Sequence, residues 1–232
     1  MLPKRLFPES SAYCYVRTLK DAKHDQLNLE NYDGLHPLER TLVAHSVDAR
    51  KAEFGDARWC AHQALAELGY SEETPILRGT RGMPLWPDGF AGSMTHTNGL
   101  RAAVVVPTSH IRSIGLDAEP DQELPEEIID IVARPGEQRQ FEQLRQHGIA
   151  HPDRLLFCAK EALYKAWFPI TERWLDFHQA EIDIRADGTL VAYLLVRPTP
   201  VPLVVGRWAS VEGYLIVTAT IERVSSYRYL NV

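Results

Sequence analysis

The chain has 232 residues, 45% hydrophobic and 24% charged, and a formal net charge of −6. That length suits one large domain or two small ones with a sizeable core, in an ordinary globular composition. The acidic balance excludes a global basic footprint for nucleic acid or an anionic membrane, so any anion site must be a local cluster of cations.

In chain order, the opening MLPKRLFPES has no apolar core of signal-peptide length, and no later run approaches a membrane span, so a cytoplasmic protein is expected. LHPLERTLVAHS and SVDARKAEFGDARWCAHQALAELG read as helices. In the second, Val47, Phe54, Ala61, Leu65 and Leu68 recur at near-helical spacing, and Gly69 follows as a stop. The Gly/Pro-rich RGTRGMPLWPDGFAG reads as a loop leading to SMTHT, and LRAAVVVP and HIRSIGLD read as strands.

Beyond them lie the acidic, amphipathic ELPEEIIDIVARPGEQRQFEQLRQHG and a helix, DRLLFCAKEALYKAWF, which Pro169 is expected to close. Alternating segments AEIDIRA, TLVAYLLV, LVVGRWAS and GYLIVTATIERV follow, the first two joined by an Asp187-Gly188 turn. The tail SSYRYLNV is expected to be loosely held. Helices followed by antiparallel strands, in each half, give an α+β fold. Cys14, Cys60 and Cys158, an odd number without C-x-x-C spacing, argue against a disulfide framework or structural zinc and for a reducing compartment.

The chemistry starts at SIGLDAEP. Asp117 and Glu119 lie two apart on a strand, so they share a face roughly 7 Å apart along the chain. At an effective dielectric near 20 two charges at that distance repel by roughly 2–3 kcal/mol. A solvated turn before Pro120 would tolerate them; a divalent cation would turn the repulsion into attraction. In FCAKEALYKAW, Glu161 and Lys165 are one helical turn apart, which on a surface would be an ordinary i, i+4 pair. This helix is apolar around most of its circumference, however, so it is buried, and Lys160, Glu161 and Lys165 need partners. Three acids and two lysines in two apolar segments suit a metal and a polyphosphate better than a surface.

Arg50, Phe54 and Arg58 fall at i, i+4, i+8, which puts both guanidiniums on one helix face, either a solvated stripe or an anion wall. Arg78 and Arg81 sit among glycines that would let backbone approach a phosphate, although no P-loop spacing is present. His96 in SMTHTNG reads equally well as a structural histidine.

IGLDAEP followed some forty residues later by FCAKEALYKAWFP, with RGMPLWPDGFAGSMTHTNG upstream, resembles the ordered signatures of the Sfp/EntD-type 4′-phosphopantetheinyl transferases. The wording is closest to the mycobacterial and actinobacterial branch, and it covers Arg50 to about Trp174. The resemblance implies two similar α+β halves in pseudo-twofold arrangement with the active site between them. Residues 1–110 would form an N-terminal half carrying nucleotide and 3′-phosphate contacts, and 111–232 a C-terminal half carrying the metal acids, the catalytic helix and antiparallel strands.

It further implies transfer of the phosphopantetheine arm of coenzyme A to a serine of apo acyl or peptidyl carrier proteins, with release of adenosine 3′,5′-bisphosphate. Asp117, Glu119 and Glu161 would hold Mg²⁺, or Mn²⁺, which also suits oxygen ligands. Glu161 would also be the base, with Lys165 neutralising phosphate charge and Lys160 beside it. Ser93, Thr95 and His96 would contact nucleotide phosphates, Arg50 and Arg58 the 3′-phosphate, and Arg78 and Arg81 the nucleotide border, where relatives often carry lysine. Phe157, Tyr164 and Trp174 would line the pantetheine channel. A monomer is expected, with neither nucleic acid nor membrane as partner. An inactive coenzyme-A or carrier-binding module, and a Mg²⁺-dependent nucleotidyl transferase or pyrophosphate hydrolase, are the alternatives.

Overall fold

In the computed structural model, which describes residues 2–18 and 28–223, the expected α+β alternation is present. Strand β1 (Ala12–Arg17) is followed by short helices α1 (Glu30–Asp33) and α2 (Pro37–Thr41) and by the long α3 (Asp48–Glu67). A small hairpin of β2 (Leu77–Arg78) and β3 (Pro84–Leu85) leads to β4 (Phe90–Thr97), β5 (Leu100–Pro107) and β6 (Ile111–Pro120). Next come α4 (Glu126–Val132), α5 (Pro135–Gln146) and α6 (Pro152–Thr171), then β7 (Ala180–Ile184), β8 (Thr189–Leu194), β9 (Leu203–Val211) and β10 (Tyr214–Glu222). The tail segment 225–232 lies outside the described residues.

Each half is one long helix on an antiparallel sheet, and the halves differ in size. The first sheet has the order β1-β5-β4, the second β6-β10-β9-β8-β7. Helix α3 buries Cys60, Ala61, Ala64 and Leu65 against Ala12, Ala103 and Val105 of the first sheet. Helix α6 buries Leu155, Ala159, Ala162, Leu163, Ala166 and Trp167 against Ile182, Ala192, Leu215, Val217 and Ala219 of the second. A third apolar layer fills the space between the sheets, where Ile114, Leu116 and Ala118 meet Leu100, Ala102 and Val104.

β4 and β6 are edge strands of the two sheets, and they meet through side chains instead of a main-chain ladder. Ser93 Oγ accepts the Leu116 N–H at 3.0 Å, and Thr95 Oγ1 accepts the Ala118 N–H at 3.2 Å. The hydroxyls satisfy donors that an exposed edge would leave for another chain.

Four local expectations change. The helix expected across LHPLERTLVAHS is limited to α2, because Leu42 and Val43 turn their N–H groups to carbonyls three residues back. Val47 precedes the first turn of α3 as its N-cap and is 74% exposed, so it is not on the buried stripe. The loop RGTRGMPL is the β2–β3 hairpin, turned by Arg81 and Gly82 at φ of 53° and 82°. Pro169 does not close α6; its missing N–H removes one intrahelical bond, and the helix ends when Glu172 enters the left-handed region at φ 49°.

Gly115 on β6 sets how closely α6 approaches. A Cβ there would lie 1.8 Å from the Ala162 carbonyl oxygen and 2.8 Å from the Ala166 nitrogen, both backbone atoms that cannot give way. Gly115→Ala is therefore expected to destabilise the protein by about 3 kcal/mol or more, read from its urea midpoint, because overpacking must push the helix off the sheet.

Candidate functional site

With α6 seated on Gly115, its next turn lies against Asp117. Lys165 Nζ donates to Asp117 Oδ1 at 2.7 Å, to the Leu116 carbonyl at 3.1 Å and to the Met94 carbonyl at 3.4 Å, so one ammonium spans the β4–β6 seam. Thr95 Oγ1 donates to the same carboxylate oxygen of Asp117 at 3.2 Å. Glu119, two residues further along β6, pairs with Arg154 from the first turn of α6 at 3.3 Å. The same guanidinium holds the Gln122 and Glu123 carbonyls, fixing the chain as it leaves the strand.

Burial and neighbouring Asp117 push the Glu119 carboxyl up to about 6, and the same two causes raise Glu161. Burial works against the Lys165 charge, but Asp117 beside it outweighs this and raises the ammonium above its ordinary value. The buried Oδ2 of Asp117 has no hydrogen-bond partner among the described residues.

A cavity of about 310 Å³ opens over this corner. Its walls bring together nearly every cation the sequence singled out: Arg50 and Arg58 from α3, Arg78 and Arg81 from the hairpin, and His96 beside Ser93 and Thr95 from β4, with Glu161, Tyr164 and Lys165 from α6 opposite. Phe54 lies between two guanidiniums, with Arg58 4.8 Å and Arg78 5.3 Å from its ring centre. Arg50 reaches His96 Nε2 at 3.2 Å and Glu53 at 3.3 Å, and Arg101 also reaches Glu53, at 3.5 Å. Burial pulls Arg58 down to about 10, with Arg78 and Arg50 acting in the same direction. Arg78 and His96 are also lowered, by burial first and Arg50 second. A partly buried wall of cations in which burial and like charge lower Arg58, Arg78 and His96 is one that an anion would relieve.

A slot of about 90 Å³ lies on the other side of Glu161 and Tyr164, walled by Trp174, Leu175 and Phe177. Trp174 is 58% exposed, makes an edge contact with the Tyr164 ring at 5.2 Å, and carries Arg81 over its face at 5.0 Å. That cation–π contact bridges the hairpin of one half to the segment after α6 of the other.

Two expected residues do not take the places expected of them, although Lys160 still borders the slot. Lys160 does not lie beside Lys165: its buried ammonium is committed to Glu137 at 2.8 Å and to the carbonyls of Val132, Phe177 and Ala180. It locks α5 and the start of β7 to α6, because a buried ammonium needs a carboxylate and a full set of acceptors. Phe157 packs against Phe177 at the margin of the core and lines neither cavity. Conversely, the sequence reading passed over Glu53, Arg154, Glu39 and Glu137, whose charged partners come from other elements of the fold.

With Asp117 drawn to Lys165 and Glu119 to Arg154, no three His, Cys, Asp or Glu side chains converge closely enough to hold a metal among the described residues. The chemistry of the donor set nevertheless suits a hard cation: Asp117 makes both Glu119 and Glu161 harder to ionise, and its own Oδ2 has no hydrogen-bond partner among the described residues.

Two family models match the chain, the 4′-phosphopantetheinyl transferase N-terminal domain over residues 38–106 and the 4′-phosphopantetheinyl transferase superfamily over residues 113–219. Among curated proteins, the chain is 46% identical over 197 residues to the 4′-phosphopantetheinyl transferase Npt of Nocardia iowensis, covering 78% of this chain and 86% of the relative. It is 44% identical over 200 residues to PptT of Mycobacterium tuberculosis, covering 81% and 87%. It is 43% identical over 209 residues to Svp of Streptomyces mobaraensis, covering 86% and 81%; both are also named 4′-phosphopantetheinyl transferases.

Two outcomes test this electrostatic layout. Above about 6 an ionised Glu119 weakens the fold, whereas below 4.5 the residue is protonated in folded and unfolded chains alike and costs nothing. Glu119→Gln should therefore stabilise the chelator-treated protein by up to about 2 kcal/mol above that window, the gain vanishing on acidification, in urea titrations at stepped pH. Lys160→Met should instead lower stability by about 3–5 kcal/mol, because it strands the buried Glu137 carboxylate, and calorimetry or urea denaturation reads it.

Proposed function

The chain belongs to the 4′-phosphopantetheinyl transferase superfamily, and we propose how its residues divide the work of that reaction. The protein moves the phosphopantetheine arm of coenzyme A to a serine of an apo carrier protein. The serine oxygen forms a bond to the β-phosphorus of coenzyme A, the bond from that phosphorus to the bridging oxygen breaks, and adenosine 3′,5′-bisphosphate leaves. The observation that carries the division of labour is the placement of Glu161 and Lys165 one turn apart on α6, both lining the cation-walled cavity at the corner holding Asp117.

Glu161, raised above the ordinary carboxyl value by burial and Asp117, takes the serine proton as the new bond forms. Lys165, oriented by two carbonyls and Asp117, presents fixed positive charge where negative charge builds on the pyrophosphate. Arg50 and Arg58 hold the 3′-phosphate; Ser93, Thr95 and His96 face the pyrophosphate; Arg78 and Arg81 border the nucleotide. Asp117, Glu119 and Glu161 would hold Mg²⁺, or Mn²⁺, which when bound supplies charge neutralisation of the pyrophosphate oxygens. Tyr164 and Trp174 wall the slot for the pantetheine arm, without Phe157.

Both sides of the cavity come from one chain, which supports action as a monomer. The described residues contain no helix long and apolar enough to cross a membrane, and Cys14, Cys60 and Cys158 carry no disulfide. Both fit a cytoplasmic setting, with acyl or peptidyl carrier proteins as partners.

Intact mass of an apo carrier protein, incubated with this protein, coenzyme A and Mg²⁺, tests the assignment. One phosphopantetheine should be added, and EDTA should abolish the gain. Glu161→Gln should lower turnover by ~10²–10⁴-fold, the usual contribution of a positioned base. Near wild-type turnover in that variant would overturn the role given to Glu161.

A further inference from the structure

Glu39 has no part in the roles above, yet it is the most deeply buried acid next to the cavity. It is 0% exposed on α2, and both α3 and the segment entering β2 converge on its carboxylate. The Ile76 N–H donates to Oε1 at 3.1 Å, and His62 Nε2 from α3 sits 3.0 Å from both oxygens. Arg58 Nε lies 3.7 Å from Oε1, near enough for charge pairing and too far for a hydrogen bond.

Arg58 is itself only 4% exposed and lines the cavity. One of its terminal nitrogens donates to Met94 Sδ at 3.1 Å, a weak acceptor, and its Nε has no hydrogen-bond partner among the described residues. A buried guanidinium with an unspent donor is unusual, because leaving such a group unpaired carries a penalty. The nearby carboxylate would end it by moving closer. It is kept back because its own oxygens are occupied by His62 and the Ile76 N–H.

We propose that Glu39 is a positioning residue for the 3′-phosphate of coenzyme A: it holds Arg58 in place as a cation while remaining too far away to occupy its donors. This rests on the reading of Arg58 as a 3′-phosphate contact. Charge is the first part of the role, since a buried carboxylate 3.7 Å away offsets the cost of holding the Arg58 guanidinium out of water. Reach is the second, since the Ile76 N–H bond ties the same carboxylate to the segment that enters β2 and carries Arg78 two residues later. One buried acid thus sets two of the cavity's guanidiniums against each other at fixed spacing.

The readout is the preference for coenzyme A over 3′-dephospho coenzyme A, taken as the ratio of kcat/KM values with one apo carrier protein. Glu39→Gln should lower that ratio about tenfold, the size of one charge-assisted hydrogen bond. His62→Ala frees one carboxylate oxygen to close on Arg58 and should lower the ratio in the same direction, several-fold. It changes a half-buried side chain, so it decides the matter if Glu39→Gln fails to fold. Equal losses on both substrates, or an unchanged ratio, would mean that Glu39 only braces the fold and would overturn the proposal. Arg58→Gln separates the two levels. If it lowers the ratio while the other two variants do not, the role of Glu39 falls alone; if it leaves the ratio intact, the 3′-phosphate reading of Arg58 falls and takes the proposal with it.

Discussion

The seam between β4 and β6 is the constraint on which the site depends. Two edge strands from two sheets cannot form a ladder here, so Ser93 and Thr95 hydroxyls take the Leu116 and Ala118 N–H groups instead. Side-chain pairing leaves the strands slightly apart, with carbonyls of Met94 and Leu116 both available to one ammonium. Lys165 occupies that position, and Asp117 completes it. Gly115 makes the arrangement reachable, since any side chain there would hold α6 too far from the strand for Lys165 to reach across. The corner to which the proposed function assigns catalysis is therefore a by-product of how two halves of one chain are joined.

Around this corner, like charges are gathered on opposite walls. Arg58 and Arg78 flank Phe54 and are lowered by burial, with Arg50 acting in the same direction on both, while Glu119 and Glu161 resist ionisation through burial and the nearness of Asp117. Gathered like charges of this kind are relieved by a ligand of opposite charge, which is what the proposed function asks of each wall. A protein with net charge −6 can in this way bind a highly anionic substrate through local geometry.

The buried carboxylates divide into two kinds. Glu137 and Glu39 have their oxygens taken by backbone N–H groups and by Lys160 or His62, and both serve to fix other elements. Among the described residues, Asp117 keeps one buried oxygen without a partner, and Glu161 lines the open cavity. An acid whose oxygens are all engaged holds its neighbours in place, whereas one with an unpaired oxygen is open to a ligand.

Much of this was legible in the residues. The period of the apolar positions gave α3, α6 and the strand set, and the near-complete apolar circumference of α6 marked Lys160, Glu161 and Lys165 as charges in need of partners. Alternation on β6 placed Asp117 and Glu119 on one face, and helical spacing placed Arg50 and Arg58 on another. Helical geometry also puts Lys160 and Lys165 about 140° apart, so they had to serve different sites. Which of them meets Asp117 depends on Gly115, Met94 and Leu116, contributed by strands some fifty or seventy residues away. Glu39 and Arg154 were equally invisible, because their partners come from other elements and local spacing carries no trace of them. The sequence by itself determined which faces are apolar and which charges share a face, since those follow from the repeat of helix and strand. Only the tertiary structure decided which face meets which, because that depends on the closest approach that packing between distant segments allows.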